Sequence, residues 1–441
     1  MSVFIIIITL ALQLPVVADS HTDDDAPISI LYYESIQLIT TPDDGKHNAT
    51  LAAADTQSTL SFDAYGRRFE LKIESASAVS GTNFTQWRGQ LAGLPGSWFR
   101  LLQDGENLSG IIADGTDTYL IEPRQRVTDL LLEAPADYAP TNVIFRLADT
   151  LVPQGLMACS TNDAKSPAAG HVDGQTAFAK LNAELQTTSA ITLESSSPRL
   201  LVGVVADESF LNEYADQTEN EIALIFNTVQ GIYANEFGIE LEVDTVFSVT
   251  PEVTSPFSAT DVAGKLLTEL ADWRNHNQRH LGHTHLLTRK NLINASGDRL
   301  AGISYLAQPG GSGICNPVTG AALSRDISGL TALIVAHELG HNMGAPHDGD
   351  PSSTCSASPD SELIMSSKIS HRTSLSFSNC SAKQIDRIIA TAACLNGTAQ
   401  TQPVSTAEDG GGGGGALGWL SIPGLLISIL LRRRRQRTVL E

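Results

Sequence analysis

The sequence predicts an α/β domain, a mixed twisted sheet with long helices, preceded by a mainly β domain. Three observations predict it. Apolar and polar residues alternate in Leu60-Ser61-Phe62-Asp63-Ala64-Tyr65 and again in Phe69-Glu70-Leu71-Lys72-Ile73, as on half-buried strands. Leu200–Ala206 is a continuous apolar run, as in a strand buried on both faces. From about 209 to 235, Ile222, Ile225, Phe226, Val229 and Ile232 recur on one helical face.

A chain of 441 residues has room for two or three domains with their own cores, and 42% hydrophobic residues fit a globular protein. The formal charge of −21 includes five arginines within the last ten residues, so the body is more acidic still. Such a surface repels phosphate backbones, which excludes nucleic acid as a partner. Residues 1–18 read as a secretory signal, with apolar Val3–Leu14 and then Val16-Val17-Ala18. The n-region has no Lys or Arg, and the alternative is a buried N-terminal strand. Export places the chain where disulfides persist. Its five cysteines, Cys159, Cys315, Cys355, Cys380 and Cys394, leave one over.

Along the chain, Gly66 marks a turn, and further short strands are expected at Trp87–Leu91, Trp98–Leu102 and Tyr119–Ile121. Residues 159–198 are polar and turn-rich, with a short helical stretch near 176–186, and read as a linker or a long surface loop. After the strand at 200–206 and the helix at 209–235 come a strand at 239–247 and a helix at about 259–276. Strands near 284–289 and 301–307 and helices at 327–343 and 382–394 complete the alternation. Past Gly397, a polar linker and the glycines Gly410–Gly415 lead to an apolar stretch, Ala416–Leu431. That stretch lies just under spanning length, and Arg432–Arg435 with Arg437 would hold its end in the cytoplasm.

The chemistry is concentrated in His337-Glu338-Leu339-Gly340-His341-Asn342-Met343-Gly344-Ala345-Pro346-His347-Asp348. His337 and His341 are four apart, so on a helix their imidazoles share one face and can hold one ion. Gly344 permits the turn that ends the helix, Pro346 keeps the chain from resuming it, and His347 arrives as a third ligand. Three neutral imidazoles with an open fourth position describe a catalytic zinc. Glu338 lies one position on from His337, able to take a proton from water without being a ligand. These parts imply hydrolysis of a peptide bond, with Gly302, Ile303 and Ser304 as the edge strand that clamps an extended substrate. The histidines His276, His280, His283 and His285 could suggest a second metal, but solvated histidines at a helix end and strand start are the simpler account.

These residues resemble the metzincin metalloproteases, and the adamalysin (reprolysin, ADAM-like) branch in particular. Asp348 after His347 resembles that branch's signature, and Ile364-Met365-Ser366 its Met-turn, with Met365 beneath the zinc. Residues 200–207 are similar to the family's first strand, Phe377–Ser381 to its post-Met-turn segment, and Ala393–Asn396 to its closing helix. The resemblance implies a metzincin-like catalytic domain over 191–397, a zinc cofactor, and Cys315–Cys394 and Cys355–Cys380 pairing. Spacing alone does not choose among the connectivities. LSFDAYGRRFELKI (60–73), WRGQLAGLPGSWFRL (87–101) and YLIEP (119–123) resemble the adamalysin propeptide, which implies a latent precursor with residues 19–190 as its propeptide. Family members often bind calcium with an acid in the first strand. Leu200–Ala206 contains none and His283-Thr284-His285 lacks the expected Asp, so calcium is not expected. Cys159, a lone thiol in an exported propeptide, is the candidate cysteine switch that occupies the zinc's open position. An intermolecular disulfide or a buried free thiol are its alternatives.

The tail, a linker at 398–415, an apolar segment at 416–431 and a basic end at 432–441, resembles the GlyGly-CTERM sorting signal of Gram-negative bacteria. It implies partners in the export machinery, transient inner-membrane anchoring, and processing by a rhombosortase-like protease, with release or surface display. A plain membrane anchor is the alternative. The whole reads as an exported, monomeric zinc endopeptidase acting on protein or peptide substrates, its S1′ pocket shaped by residues 366–376 with Lys368, His371 and Arg372. A catalytically silent adhesion or binding module on the same fold, or a toxin aimed at one host protein, are the competing readings.

Overall fold

The computed structural model describes residues 28–42, 58–78, 84–133, 140–152, 159–161, 197–250, 255–308, 311–327, 329–359, 362–370 and 372–396. The chain divides into compact units at 1–400 and 401–441. The expected signal, the helical stretch near 176–186, His371 and the whole tail lie outside the described residues. Among the described residues, no helix is long and apolar enough to cross a membrane.

The first part is β, as the alternation predicts. Its strands are β1 (Ser29–Ile30), β2 (Glu34–Ile36), β3 (Ile39–Pro42), β4 (Ser58–Ala64), β5 (Arg67–Ala78), β6 (Thr85–Leu91), β7 (Trp98–Asp104), β8 (Asn107–Ala113) and β9 (Thr118–Pro123). The short helix α1 (Arg124–Val127) then leads to β10 (Asn142–Arg146) and β11 (Thr150–Leu151). Strands β3 to β10 form a sequential antiparallel meander with β2 beyond β10, and β1 pairs with β11. Tyr65 and Gly66 both take positive φ between Ala64 and Arg67, the backbone a tight two-residue hairpin demands. One face closes on Phe62, Phe69, Leu71, Ile73, Trp87 and Phe99. Strands β8 and β10 were not anticipated.

The second part begins with β12 (Cys159–Thr161), then β13 (Arg199–Ala206), α2 (Glu208–Tyr214), α3 (Thr218–Phe237), β14 (Glu240–Ser248), α4 (Ala263–Asn277) and β15 (His283–Thr288). It ends with β16 (Gly302–Ser304), β17 (Ala321–Arg325), α5 (Thr331–Asn342) and α6 (Asn379–Ile389). The sheet order is β12-β16-β17-β15-β13-β14, parallel except for β16 against β17. Val204 and Leu287 face the core that holds α3 and α5, whereas Val205 and Leu286 face α4. Burial on both faces explains the uninterrupted apolar run in β13.

Four expectations are corrected. The single helix at 209–235 is two, because Ala215 takes φ 47° between α2 and α3. The helix at 327–343 starts at Thr331, whose hydroxyl donates to Asp326 Oδ1 at 2.6 Å while Gly329 turns at φ 77°. The last helix starts earlier, at Asn379, where Ser378 accepts from Ser381 N at 3.0 Å as an N-cap. Cys159–Thr161, expected as linker, adds a parallel strand to β16, so Gly302–Ser304 is an inner strand here rather than an edge. The short β17 was missed as well.

The β part packs on α3. A Cβ at Gly231 would lie 2.6 Å from the Trp98 ring and 2.7 Å from Arg100 Cγ, so only glycine lets β7 approach the helix so closely. At the same interface Arg126 bridges two buried acids, Glu122 at 3.3 Å and Glu221 on α3. Burial pushes the Glu122 carboxyl up to about 7, Arg126 opposes this, and Glu221 reinforces it. Glu221 is raised too, chiefly by burial. Ser109 also faces Glu122, and Asp326 and Arg289 act on Glu221.

The sign follows. Below the ordinary carboxylate range Glu122 is protonated docked or free, and docking is insensitive to pH. Between that range and about 7 only the docked state holds the proton, so association weakens as pH rises, and above about 7 it levels off. If the two parts are separated by proteolysis within 162–196, their dissociation constant should rise by at least about tenfold between pH 5 and 8. Glu122→Gln should flatten that dependence, measured by calorimetric titration.

Candidate metal centre

Helix α5 is apolar on nearly every side, and every residue but Ala332 is buried. Its length and position carry His337 and His341 to one face, one turn apart, with ring centroids 4.6 Å apart. The helix ends in a Schellman motif: Ala345 N donates to Gly340 O at 2.9 Å and Gly344 N to His341 O at 2.8 Å, with Gly344 at φ 93°. That reversal brings His347 back over the helix, and Ser353 Oγ holds its carbonyl at 2.7 Å.

The three imidazoles converge. His347 Nε2 lies 3.2 Å from Nε2 of His337 and 3.2 Å from Nε2 of His341. His337 Nδ1–H donates to Ile364 O at 2.6 Å, and His341 Nδ1–H to Ala345 O at 2.7 Å. Those carbonyls dictate the tautomers, so both Nε2 atoms turn lone pairs toward the same point. Burial, reinforced by neighbouring histidines, pushes His337 down to about 3 and His341 well below its ordinary value, which keeps both rings neutral. Lone pairs held this close repel unless a cation lies among them. Nitrogens about 3.3 Å apart are what tetrahedral zinc needs at Zn–N distances of about 2.0 Å.

Glu338 is fully buried beside them. Apart from the Cys159 thiol, neither of its carboxylate oxygens has a partner among the described residues, and burial raises its pKa well above the ordinary range. A Cβ at Gly302 would lie 2.5 Å from Glu338 Oε1, so the glycine leaves room for the carboxylate against β16. The pairing of β12 brings Cys159 Sγ within 4.8 Å of a His337 ring nitrogen and a Glu338 oxygen. Burial, then the Glu338 carboxylate, pushes the thiol's pKa well up.

Met365 lies fully buried under α5, its Sδ 2.5 Å from where a Cβ at Gly340 would stand. Its carbonyl accepts Asp348 N at 2.9 Å, and Asp348 Oδ1 accepts Ser378 Oγ at 2.7 Å and Ser381 Oγ at 3.0 Å. The chain after His347 is thereby tied to α6. Cys355–Cys380 and Cys315–Cys394 are both formed, across 25 and 79 residues. The loop-entropy estimate gives them roughly 3.5 and 4.5 kcal/mol. Leu375 and Phe377, near the expected S1′ segment, are buried, Lys368 and Arg372 are exposed, and Ile369 is buried.

The histidines expected as solvated divide. His276 and His280 are exposed, whereas His283 and His285 are buried in β15. The correction has a plain cause: β15 is a central strand, paired with β13 and β17, and all its residues are inside. Among the described residues, the groups placed to hold a metal are His337 with His341 and His347, and Cys159 with His337 and Glu338. Asn342, which closes α5, was passed over in the sequence, although its position next to His341 was a signal.

Residues 198–378 match the reprolysin-type profile described as metallo-peptidase family M12. The chain is 34% identical over 128 residues to a zinc metalloproteinase/disintegrin of Bitis gabonica, covering 28% of this chain and 35% of that protein. The chain thus spans about a third of the length of that curated relative. The profile match supports a reprolysin-type metallopeptidase domain over residues 198–378.

Proposed function

We propose that this chain is the latent precursor of an exported zinc endopeptidase that hydrolyses protein or peptide substrates. The observation that carries the reading is the convergence at the end of α5 of three imidazoles, His347 Nε2 lying 3.2 Å from Nε2 of both His337 and His341, with the buried Glu338 carboxylate beside them. His337, His341 and His347 would hold the zinc. Bound there, zinc supplies a Lewis acid that makes water nucleophilic near a pH of about 7 and polarises a carbonyl.

The remaining work falls to the chain's own groups. Glu338 takes the proton of the attacking water on a carboxylate oxygen and returns it to the leaving amine. Its position next to His337, in the room that Gly302 leaves against β16, suits it to that task. The backbone of β16 would pair with an extended substrate once β12 has left, and Ser366–Ile369 would lie beside the first residue after the cut. In the precursor, β12 takes the substrate's place on β16 and Cys159 lies against His337 and Glu338.

Export, anchoring through 416–431 and removal of the tail near Gly410–Gly415 belong to the same proposal, on the strength of the glycine, apolar and arginine sequence order. One preparation tests it. Protein recovered from the medium of the native host should carry about one zinc per chain and cleave casein. It should lose that activity to a chelator, regain it with zinc, and by intact mass lack Leu417 onward. A zinc-loaded protein with no turnover on a broad peptide library would favour the silent binding module instead. Full-length, membrane-bound chain alone would overturn only the tail.

A further inference from the structure

Beneath the metal centre runs a buried polar chain that the proposed chemistry does not use. Asn342 Oδ1 lies 3.0 Å from His283 Nδ1, His283 Nε2 lies 3.2 Å from His285 Nδ1, and His285 Nε2 lies 2.9 Å from Ser324 Oγ. His283 and His285 are 1% and 0% exposed, and Asn342 and Ser324 are fully buried.

The direction of every proton in this chain follows from three carbonyls. Asn342 Nδ2 donates to Tyr305 O at 3.1 Å, Thr319 O at 2.8 Å and Ala321 O at 3.3 Å, so its nitrogen faces acceptors and its oxygen must accept. His283 therefore carries its proton on Nδ1. Being neutral, it leaves Nε2 as an acceptor, which requires His285 to carry its proton on Nδ1 as well. His285 Nε2 then accepts, and the Ser324 hydroxyl donates. Any other tautomer sets two N–H groups or two lone pairs against each other in a site without water access.

We propose that Ser324, His285 and His283 are positioning residues: a one-way hydrogen-bond relay that orients Asn342 and so sets the metal-binding end of α5 against β16. Asn342 adjoins His341 and closes the helix, and its side chain grips the residue that follows β16 as well as Ala321 of β17. The backbone repeats the tie, because Ala307 N donates to His341 O and Ile314 N to Asn342 O, each at 2.9 Å. The distance from the three imidazoles to the strand expected to hold substrate thus depends on the roll of one helix end. The amide of Asn342 sets that roll, and it is held between the three carbonyls at its nitrogen and the histidine relay at its oxygen. Groups behind the ligands that fix orientation in this way commonly change metal affinity or turnover by about 10- to 100-fold. The inference rests on the zinc endopeptidase reading.

Three variants separate positioning from simple structure. His285→Leu cannot donate to His283, and Ser324→Ala removes the hydroxyl at the head of the relay with little change of volume. His285→Gln can still donate to His283 and accept from Ser324. In the full chain, zinc loss to a competing chelator should be about tenfold faster in His285→Leu and Ser324→Ala, and return to near wild type in His285→Gln. After propeptide removal kcat should fall about tenfold in the first two with KM nearly unchanged. In wild-type chain labelled with ¹⁵N-histidine, both rings should be Nδ1–H tautomers, with a coupling across the bond from His285 to His283.

An Nε2–H tautomer in either ring overturns the relay even if His285→Leu fails to fold. Wild-type zinc retention and kcat in Ser324→Ala and His285→Leu, with only a lower Tm, overturn the positioning role. Wild-type protein that binds no zinc and cleaves nothing sinks the endopeptidase reading itself, a result distinct from both.

Discussion

Glu338→Ala should abolish peptide hydrolysis while leaving the three imidazoles and their zinc in place. The expected loss in kcat/KM is about 10³-fold, within the range for removing a positioned general base. The variant should also fold at least as well as the parent. The Glu338 carboxylate is fully buried and, among the described residues, has the Cys159 thiol as its one polar partner, so its removal relieves a desolvation cost and breaks no ion pair. The ligand geometry is independent of it, since His337 and His341 are oriented by Ile364 O and Ala345 O. Turnover of a quenched peptide, zinc content and Tm measured on one preparation decide the matter. A variant within tenfold of wild type would exclude Glu338 as the base, and one that had lost its zinc would make it a ligand.

Cys159→Ala should yield a precursor that cleaves substrate before its first part is removed. On the proposed reading, two devices would hold the chain latent. The backbone of β12 lies on β16 where a substrate would pair, and the thiol lies within 4.8 Å of both a His337 nitrogen and a Glu338 oxygen. The substitution removes only the second, because the strand pairs through main-chain groups. Activity of the uncleaved chain should therefore rise by at least about tenfold, the effect of ~1.4 kcal/mol lost from the latent state, without reaching that of the processed enzyme. A variant rendered uncleavable within 162–196 keeps the comparison clean. If it is as latent as its Cys159 parent, strand pairing alone accounts for inhibition and the thiol has no part in it.

Much of this site lies in local order. His337 and His341 four apart, with Gly344 and Pro346 after them, are enough to place three imidazoles together, because the helix repeat and a left-handed turn are properties of a few consecutive residues. The strands at 60–73 and 200–206 are legible for the same reason: the period of burial is written along a single segment. The roles of Met365 and the pairing of the cysteines are not local, and only resemblance to a known family pointed to them. What the sequence determined by itself was therefore which three histidines converge, which carboxylate lies beside them, and a β part followed by an α/β part. Tertiary structure alone decided that Cys159 becomes a strand on β16, that His283 and His285 sit in the core, and that Arg126 meets acids from two parts of the chain. Each of these depends on which distant segment arrives alongside. A three-residue strand, a histidine in a central strand and an arginine at an interface look the same in sequence as a linker, a solvated ring and a surface charge.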